Sequence, residues 1–318
     1  MNGGVQSMSK IAFVFPGQGS QSVGMGKDLY DTQSEARERF ELADKQLGFP
    51  LSELIFGGPE AELKQTANTQ PALLTTSVAL AEAFAAKGLA PDYVAGHSLG
   101  EYSALTVAGV LSFEDAVSIV RARGEYMEQA VPGGQGAMAA VLGGEREALA
   151  ALCADITAGG ALVELANVNC PGQIVVSGSK EGIEQVVSRV KEIGAKRAIP
   201  LEVSGPFHSS LMKSAAERLQ DRLAAAAFHN ASVPVVANVT ARPVQDGAKI
   251  AELLVQQVYS PVLWEDTVNW LIAQGVDTFV EIGPGSVLTG LIKKTDKSVR
   301  LFNVNNLDSL EQTAAALQ

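Results

Sequence analysis

At 318 residues with 47% hydrophobic content, the chain can bury a full core, and its size fits one large domain or one domain carrying a smaller insert. A formal net charge of -11 argues against a general nucleic-acid binder, because phosphate affinity rests on a surplus of Lys and Arg, and it leaves an acidic partner only a local basic patch to dock on. No apolar run approaches the roughly 18 residues of a membrane-spanning helix, and Cys153 and Cys170 have neither metal-ligand spacing nor a histidine cluster beside them. A reduced, cytoplasmic protein without a metal is the expectation.

Residues 1–7 lack the charged start and apolar stretch of a signal peptide and are set aside as an added scar; Met8 opens the first convincing strand. Ile11 to Phe15 reads as a short buried strand, stopped by Pro16-Gly17-Gln18-Gly19-Ser20-Gln21, a tight loop that exposes its own backbone. Pro71 is placed in the first turn of a helix, after which Leu73, Leu74, Val78, Ala81 and Phe84 recur at helical spacing until Gly88. A strand, Tyr93 to Gly96, then runs straight into Ser98-Leu99-Gly100 and a helix of small residues.

Between Gly134 and Pro206 the rhythm becomes strand (137–142), helix (145–153), strand (162–168), strand (174–178), helix (181–193), strand (196–201). That order is the split β-α-β form called ferredoxin-like. A long helix at 210–227 and strands at 233–237, 277–282 and 300–304 follow, so residues 134–205 read as a small domain inserted into a larger α/β domain made of 8–133 and 206–318.

Gly96-His97-Ser98-Leu99-Gly100 matches the G-x-S-x-G nucleophile elbow in the strand-turn-helix context that the motif requires. The helix behind Ser98 offers N–H groups to a developing oxyanion. A serine nucleophile needs a base, and three histidines are available. His97 comes off the strand end pointing away from its neighbour and reads as structural; His229 follows an alanine-rich helix and reads as a solvated helix end. His208, in the loop Ser204-Gly205-Pro206-Phe207-His208-Ser209, is the remaining candidate, against the plainer reading of a surface histidine.

Gln18, flanked by two glycines after a buried strand, can bring a backbone N–H to a substrate and with the Leu99 N–H complete an oxyanion hole. Its loop superficially resembles a dinucleotide-binding motif, but Ser22 falls where the third glycine belongs. Arg123 lies on a helical segment; spacing alone does not separate a substrate contact from an exposed arginine paired with Glu125 or Glu128. A hydrolase triad would also need an acid, for which Asp155 is a nominal candidate inside the insert.

Taken together, Phe13-Val14-Phe15-Pro16-Gly17-Gln18-Gly19-Ser20-Gln21, Gly96-His97-Ser98-Leu99-Gly100-Glu101, Arg123-Gly124 and Gly205-Pro206-Phe207-His208 resemble the malonyl-CoA:acyl carrier protein transacylases of bacterial fatty acid synthesis and the acyltransferase domains of polyketide synthases. Asn68-Thr69-Gln70-Pro71-Ala72, Asn167-Val168-Asn169, Gln257-Val258-Tyr259-Ser260-Pro261-Val262 and Glu281-Ile282-Gly283-Pro284-Gly285 agree with the same families, so the resemblance spans nearly the whole chain after Met8. It implies an α/β-hydrolase-like core with a ferredoxin-like insert. By the same resemblance Ser98 is the acylated nucleophile, His208 its base oriented by the main-chain carbonyl of Gln257, Gln18 and Leu99 the oxyanion donors, and Arg123 the clamp on the malonyl carboxylate. Phe207 resembles the residue of malonyl-selective members. The implied partners are malonyl-CoA and an acidic acyl carrier protein bearing phosphopantetheine, with no cofactor of the enzyme's own, and the enzyme is expected to be a monomer. Lys180, Arg189, Lys191, Lys196 and Arg197, with Lys293 and Lys294, are the candidate docking charges.

Overall fold

Ala12, Phe13, Val14 and Phe15 are all buried, as expected of a strand covered on both faces, and this strand lies inside a parallel sheet. The computed structural model describes residues 9–318; the scar assigned to 1–7 and the start placed at Met8 lie outside the described residues. In chain order the strands are β1 (Lys10–Phe15), β2 (Tyr93–Gly96), β3 (Gly136–Gly143), β4 (Val163–Cys170), β5 (Gln173–Ser179), β6 (Ala195–Pro200), β7 (Val235–Val236), β8 (Pro243–Val244), β9 (Val262–Leu263), β10 (Val276–Ile282) and β11 (Arg300–Val304). They form two mixed sheets, which with the helices make an α/β fold. The larger sheet has the order β11-β10-β1-β2-β7-β8, parallel except for the short β8.

The smaller sheet has the order β6-β3-β5-β4-β9, with the first four strands antiparallel to their neighbours. Side chains alternate across it. Ala139, Val141 and Val176 face the helices Arg146–Ala158 and Lys180–Arg189, meeting Leu149, Leu152, Ile156, Ile183 and Val186 in a core of their own, while Met138, Ala166 and Val175 turn to the core of the large sheet. Each of the Val, Leu, Ile and Met side chains among these contributes roughly 1.5–3 kcal/mol when fully buried, so both faces are firmly held. β9 comes from the segment expected to belong only to the larger unit, yet it pairs in parallel with β4.

Pro71 is not in a first turn. The helix runs Thr66–Ala85, five residues earlier than its periodicity suggests, with the proline inside it. A proline here removes a hydrogen bond to the carbonyl of Ala67, and the guanidinium of Arg121 supplies the missing donor at 3.1 Å. The helix is buried along most of its length, which is why its polar starting residues escaped an argument from apolar spacing. Two other helices are shorter than expected. The segment 181–193 becomes the helix Lys180–Arg189 and a 3-10 turn Val190–Ile193 that ends on left-handed Gly194, and 210–227 becomes a 3-10 turn Ser210–Met212 followed by the helix Lys213–Ala224. Among the described residues no helix is long and apolar enough to cross a membrane.

Candidate active site

Ser98 stands between β2 and the helix Leu99–Val107 with φ 53° and ψ -111°, a backbone conformation that costs a non-glycine residue on the order of 1–3 kcal/mol. Its surroundings enforce it. A Cβ on Gly96 would lie 1.9 Å from the carbonyl carbon of Gly100, and one on Gly100 would lie 2.1 Å from the carbonyl oxygen of Phe15. Asn238, just beyond β7, accepts the Ser98 N–H on Oδ1 at 2.8 Å and donates from Nδ2 to the Gly96 carbonyl at 2.6 Å. The loops after β1, β2 and β7 thus converge at the carboxyl ends of neighbouring parallel strands, where open α/β sheets place their sites.

The ring of His208 reaches this serine from the loop after β6, with Nε2 2.8 Å from Ser98 Oγ. Its other nitrogen, Nδ1, is 2.9 Å from the main-chain carbonyl of Gln257. A carbonyl only accepts, so Nδ1 carries the proton and Nε2 is left to accept from the serine hydroxyl. His208 itself has a φ of 56°, so serine and histidine both sit on strained backbone. Burial, reinforced by the positive charge of Arg123 and opposed by the Gln257 carbonyl, pushes the His208 pKa down to about 3. The imidazole is therefore neutral near pH 7.

Among the described residues no carboxylate stands behind it. Asp155 lies on the helix Arg146–Ala158 and pairs with Arg189 at 3.0 Å. His229 is exposed. His97 turns its Nε2 to Asn169 Oδ1 at 2.8 Å and its ring toward Trp264, and burial lowers its pKa.

Arg123, on the helix Phe113–Gln129, is only 1% exposed and pairs with neither Glu125 nor Glu128; Arg121 takes Glu125 at 2.7 Å. Nη1 of Arg123 donates to Gln70 Oε1 at 2.8 Å, and Nη2 donates to Gln257 Oε1 at 2.9 Å and to Ser98 Oγ at 3.2 Å. The guanidinium lies over the Tyr102 ring. Burial lowers its pKa, with the neighbouring Tyr102 and Glu101 acting against that shift. A fixed cation is thus aimed at the hydroxyl of the elbow.

Gln18 holds its loop through Nε2, which donates to Thr66 Oγ1 at 3.0 Å. Only glycine fits before it, because a Cβ on Gly17 would fall 2.3 Å from the carbonyl oxygen of His97. Gln18, Ser98, Leu99, Arg123 and His208 all border one cavity of about 130 Å³, walled by Met127, Met138, Val203 and Phe207. Among the described residues the N–H groups of Gln18 and Leu99 have no hydrogen-bond acceptor. A larger hollow, of about 620 Å³, lies between the helices Ser34–Leu47 and Thr66–Ala85 and contains none of these groups. The small cavity is the one that gathers the serine, the histidine and the buried arginine.

Sequence reasoning missed Asn238, gave Gln70, Asn169 and Glu101 no role, and saw only the backbone of Gln257. A polar residue two positions after the buried pair Val235–Val236, beyond Ala237, was the available sign for Asn238. The others gave no local sign, since each finds its partner on a distant element.

A family model described as the acyl transferase domain matches residues 12–313. The malonyl CoA-acyl carrier protein transacylase of Bacillus subtilis (strain 168) is 55% identical over 311 residues, 98% of either chain, and that of Staphylococcus aureus (strain MSSA476) is 50% identical over 96% of this chain and 98% of the relative. The crystal structure of an acyl carrier protein S-malonyltransferase from Vibrio cholerae O1 superposes with a TM-score of 0.93 at 47% identity, covering 96% of this chain and all of that one. A type II PKS acyl-carrier protein in complex with its malonyl-transacylase gives 0.94 at 44% identity, covering 97% of this chain and all of that one.

Proposed function

The chain belongs to the acyl transferase domain family, and from that premise we propose that it moves a malonyl group from coenzyme A to the phosphopantetheine thiol of an acyl carrier protein through an ester on Ser98. The observation that carries this reading is the set of contacts on Ser98 Oγ, which meets His208 Nε2 on one side and the buried Arg123 guanidinium on the other. A cation fixed beside the nucleophile suits an acyl group with a free carboxylate at its far end.

In the first half-reaction the malonyl carboxylate engages Arg123, the Ser98 hydroxyl attacks the thioester carbonyl, and His208 takes its proton on Nε2. The oxyanion is held by the N–H groups of Gln18 and Leu99. As the intermediate collapses the C–S bond breaks, His208 protonates the departing thiolate, and malonyl-serine remains. The second half-reaction runs the same steps in reverse order with the carrier thiol as nucleophile. Transfer is ping-pong.

A histidine backed by a neutral carbonyl rather than a carboxylate is a weaker base toward water, which suits an ester that must wait for a thiol. The contact between His208 Nδ1 and Gln257 favours this over a hydrolase triad. The crowded wall containing Phe207 favours malonyl over a branched homologue. The same reading takes residues 8–133 and 206–318 as an α/β-hydrolase-like domain and 134–205 as its ferredoxin-like insert; the strand order β6-β3-β5-β4 supports the second assignment.

Intact-mass spectrometry after mixing with malonyl-CoA tests the reading. The protein gains one malonyl group, Ser98→Ala gains none while keeping its melting temperature, and a malonyl adduct that persists in the variant refutes the assignment.

A further inference from the structure

The side chain of Gln257 has a second set of contacts, separate from the carbonyl that meets His208. Its Nε2 donates to Glu101 Oε2 at 2.8 Å, to the Ser98 carbonyl at 3.0 Å and more weakly to Asn238 Oδ1 at 3.3 Å. Its Oε1 accepts from Arg123 Nη2 at 2.9 Å. Glu101 and Gln257 are 2% and 1% exposed, so no water-facing alternative competes for these groups.

We infer that Glu101 is a positioning residue for substrate selection: it fixes the orientation of the Gln257 amide and, through it, the orientation of the Arg123 guanidinium toward the acyl carboxylate. An ionised carboxylate only accepts hydrogen bonds, so it draws the amide nitrogen of Gln257 to its own side and turns the amide oxygen to Arg123. Reversing that amide would set an N–H₂ group against a guanidinium, donor against donor, with a positive charge behind it. Glu101 also supplies the nearby negative charge for a buried cation that has no direct ion pair among the described residues, and the field of Arg123 in turn eases the ionisation of the carboxyl. Asn238, whose N–H donates to the same Glu101 oxygen at 3.3 Å, ties this unit to the backbone of the elbow.

This inference rests on the malonyl-transfer reading above, because the orientation of Arg123 matters only if an acyl carboxylate lands on it. The acetyl group carries no such charge, so the ratio of malonyl to acetyl acylation of Ser98 reads the relay apart from general damage. Glu101→Gln keeps the shape but removes the charge and offers a donor as well as an acceptor, so the bias on the Gln257 amide weakens to what the Ser98 carbonyl and Asn238 Oδ1 supply. The variant is expected to lower the malonyl to acetyl ratio in kcat/KM roughly tenfold, the size of one charge-assisted hydrogen bond. Gln257→Ala, which retains the backbone carbonyl for His208, is expected to lower the same ratio, and the double variant is expected to fall no further than Gln257→Ala alone. Equal losses on both acyl groups, or additive losses in the double variant, overturn the relay. If the unaltered protein forms no malonyl ester on Ser98, the transfer reading itself fails, a result separate from either.

Discussion

Around Ser98 the side chains of Glu101, Arg123, His208, Asn238 and Gln257 are buried and hydrogen-bonded to one another or to the elbow, whereas along β6 the charges of Lys196 and Arg197 stand in solvent beside half-exposed Ile199. The first region is built from residues distant in sequence, brought together at the carboxyl ends of parallel strands. The second is an edge strand of the smaller sheet. In the buried region a lost contact cannot be replaced by water, so a single substitution has a large and chemically specific effect. On the exposed edge, solvent and salt share the work, and effects are small and distributed.

The largest test of this contrast is His208→Ala. Loss of a general base slows acylation by roughly 100- to 10,000-fold, measured by single-turnover mass spectrometry with malonyl-CoA. A near-normal rate across neutral pH would place the base elsewhere.

Arg123→Ala comes next. On the proposed role of Arg123 it leaves the malonyl carboxylate without a partner, a loss of roughly 3–5 kcal/mol for a desolvated pair, and it strips Glu101 of its neighbouring positive charge. Malonyl transfer is expected to collapse while acetyl transfer is kept or improved. Comparable losses on the two substrates would make Arg123 a structural cation and nothing more.

The pH dependence sharpens the same region. With its pKa pushed down to about 3, His208 stays a free base as pH falls from 8 to about 5, so kcat/KM for acetyl-CoA is expected to be flat there. Glu101 behaves oppositely. Burial raises its carboxyl to about 7, so acidification through that value adds a proton, removes the negative charge that faces Arg123 and strengthens the hold on Gln257, and lowers kcat/KM for malonyl-CoA alone. An acid limb of the same position with both acyl groups would assign the titration to the dyad instead.

The legibility of the two regions also differs, for physical reasons. Ser98 and its glycines were readable because strand, strained turn and helix are consecutive in the chain. The alternation of the smaller sheet was readable because its period is local. Arg123 was not, since a helical arginine looks the same whether it meets Glu125 in water or Gln70 and Gln257 in the interior. Pro71 misled because a proline marks a first turn only when nothing supplies the donor it lacks, and that donor, Arg121, lies on another helix. Asn238 and the side chain of Gln257 depend on tertiary contacts that no spacing encodes.

The smallest expected effect belongs to the exposed edge, in docking of the carrier protein. The enzyme is acidic overall, and family resemblance implies an acidic partner, so encounter requires positive charge gathered near the cavity mouth. Arg189 is a poor candidate, because Asp155 and Glu192 already offset it. Lys180, Lys191, Lys196 and Arg197 are exposed, and the chain leaving β6 reaches Leu201, which borders the cavity that holds Ser98. Lys293 and Lys294, exposed at the end of the helix Val287–Thr295, form a second cluster on the larger sheet. Reversing the charge at Arg197 or Lys191 is expected to raise KM for the carrier protein by roughly two- to fivefold at low ionic strength, in keeping with the modest worth of solvated charges. The effect should fade in added salt, while acylation by malonyl-CoA and transfer to free pantetheine stay constant. If reversals in both clusters leave carrier kinetics flat at low salt, docking does not depend on this edge, and the division between a buried site for chemistry and an exposed strand for encounter fails.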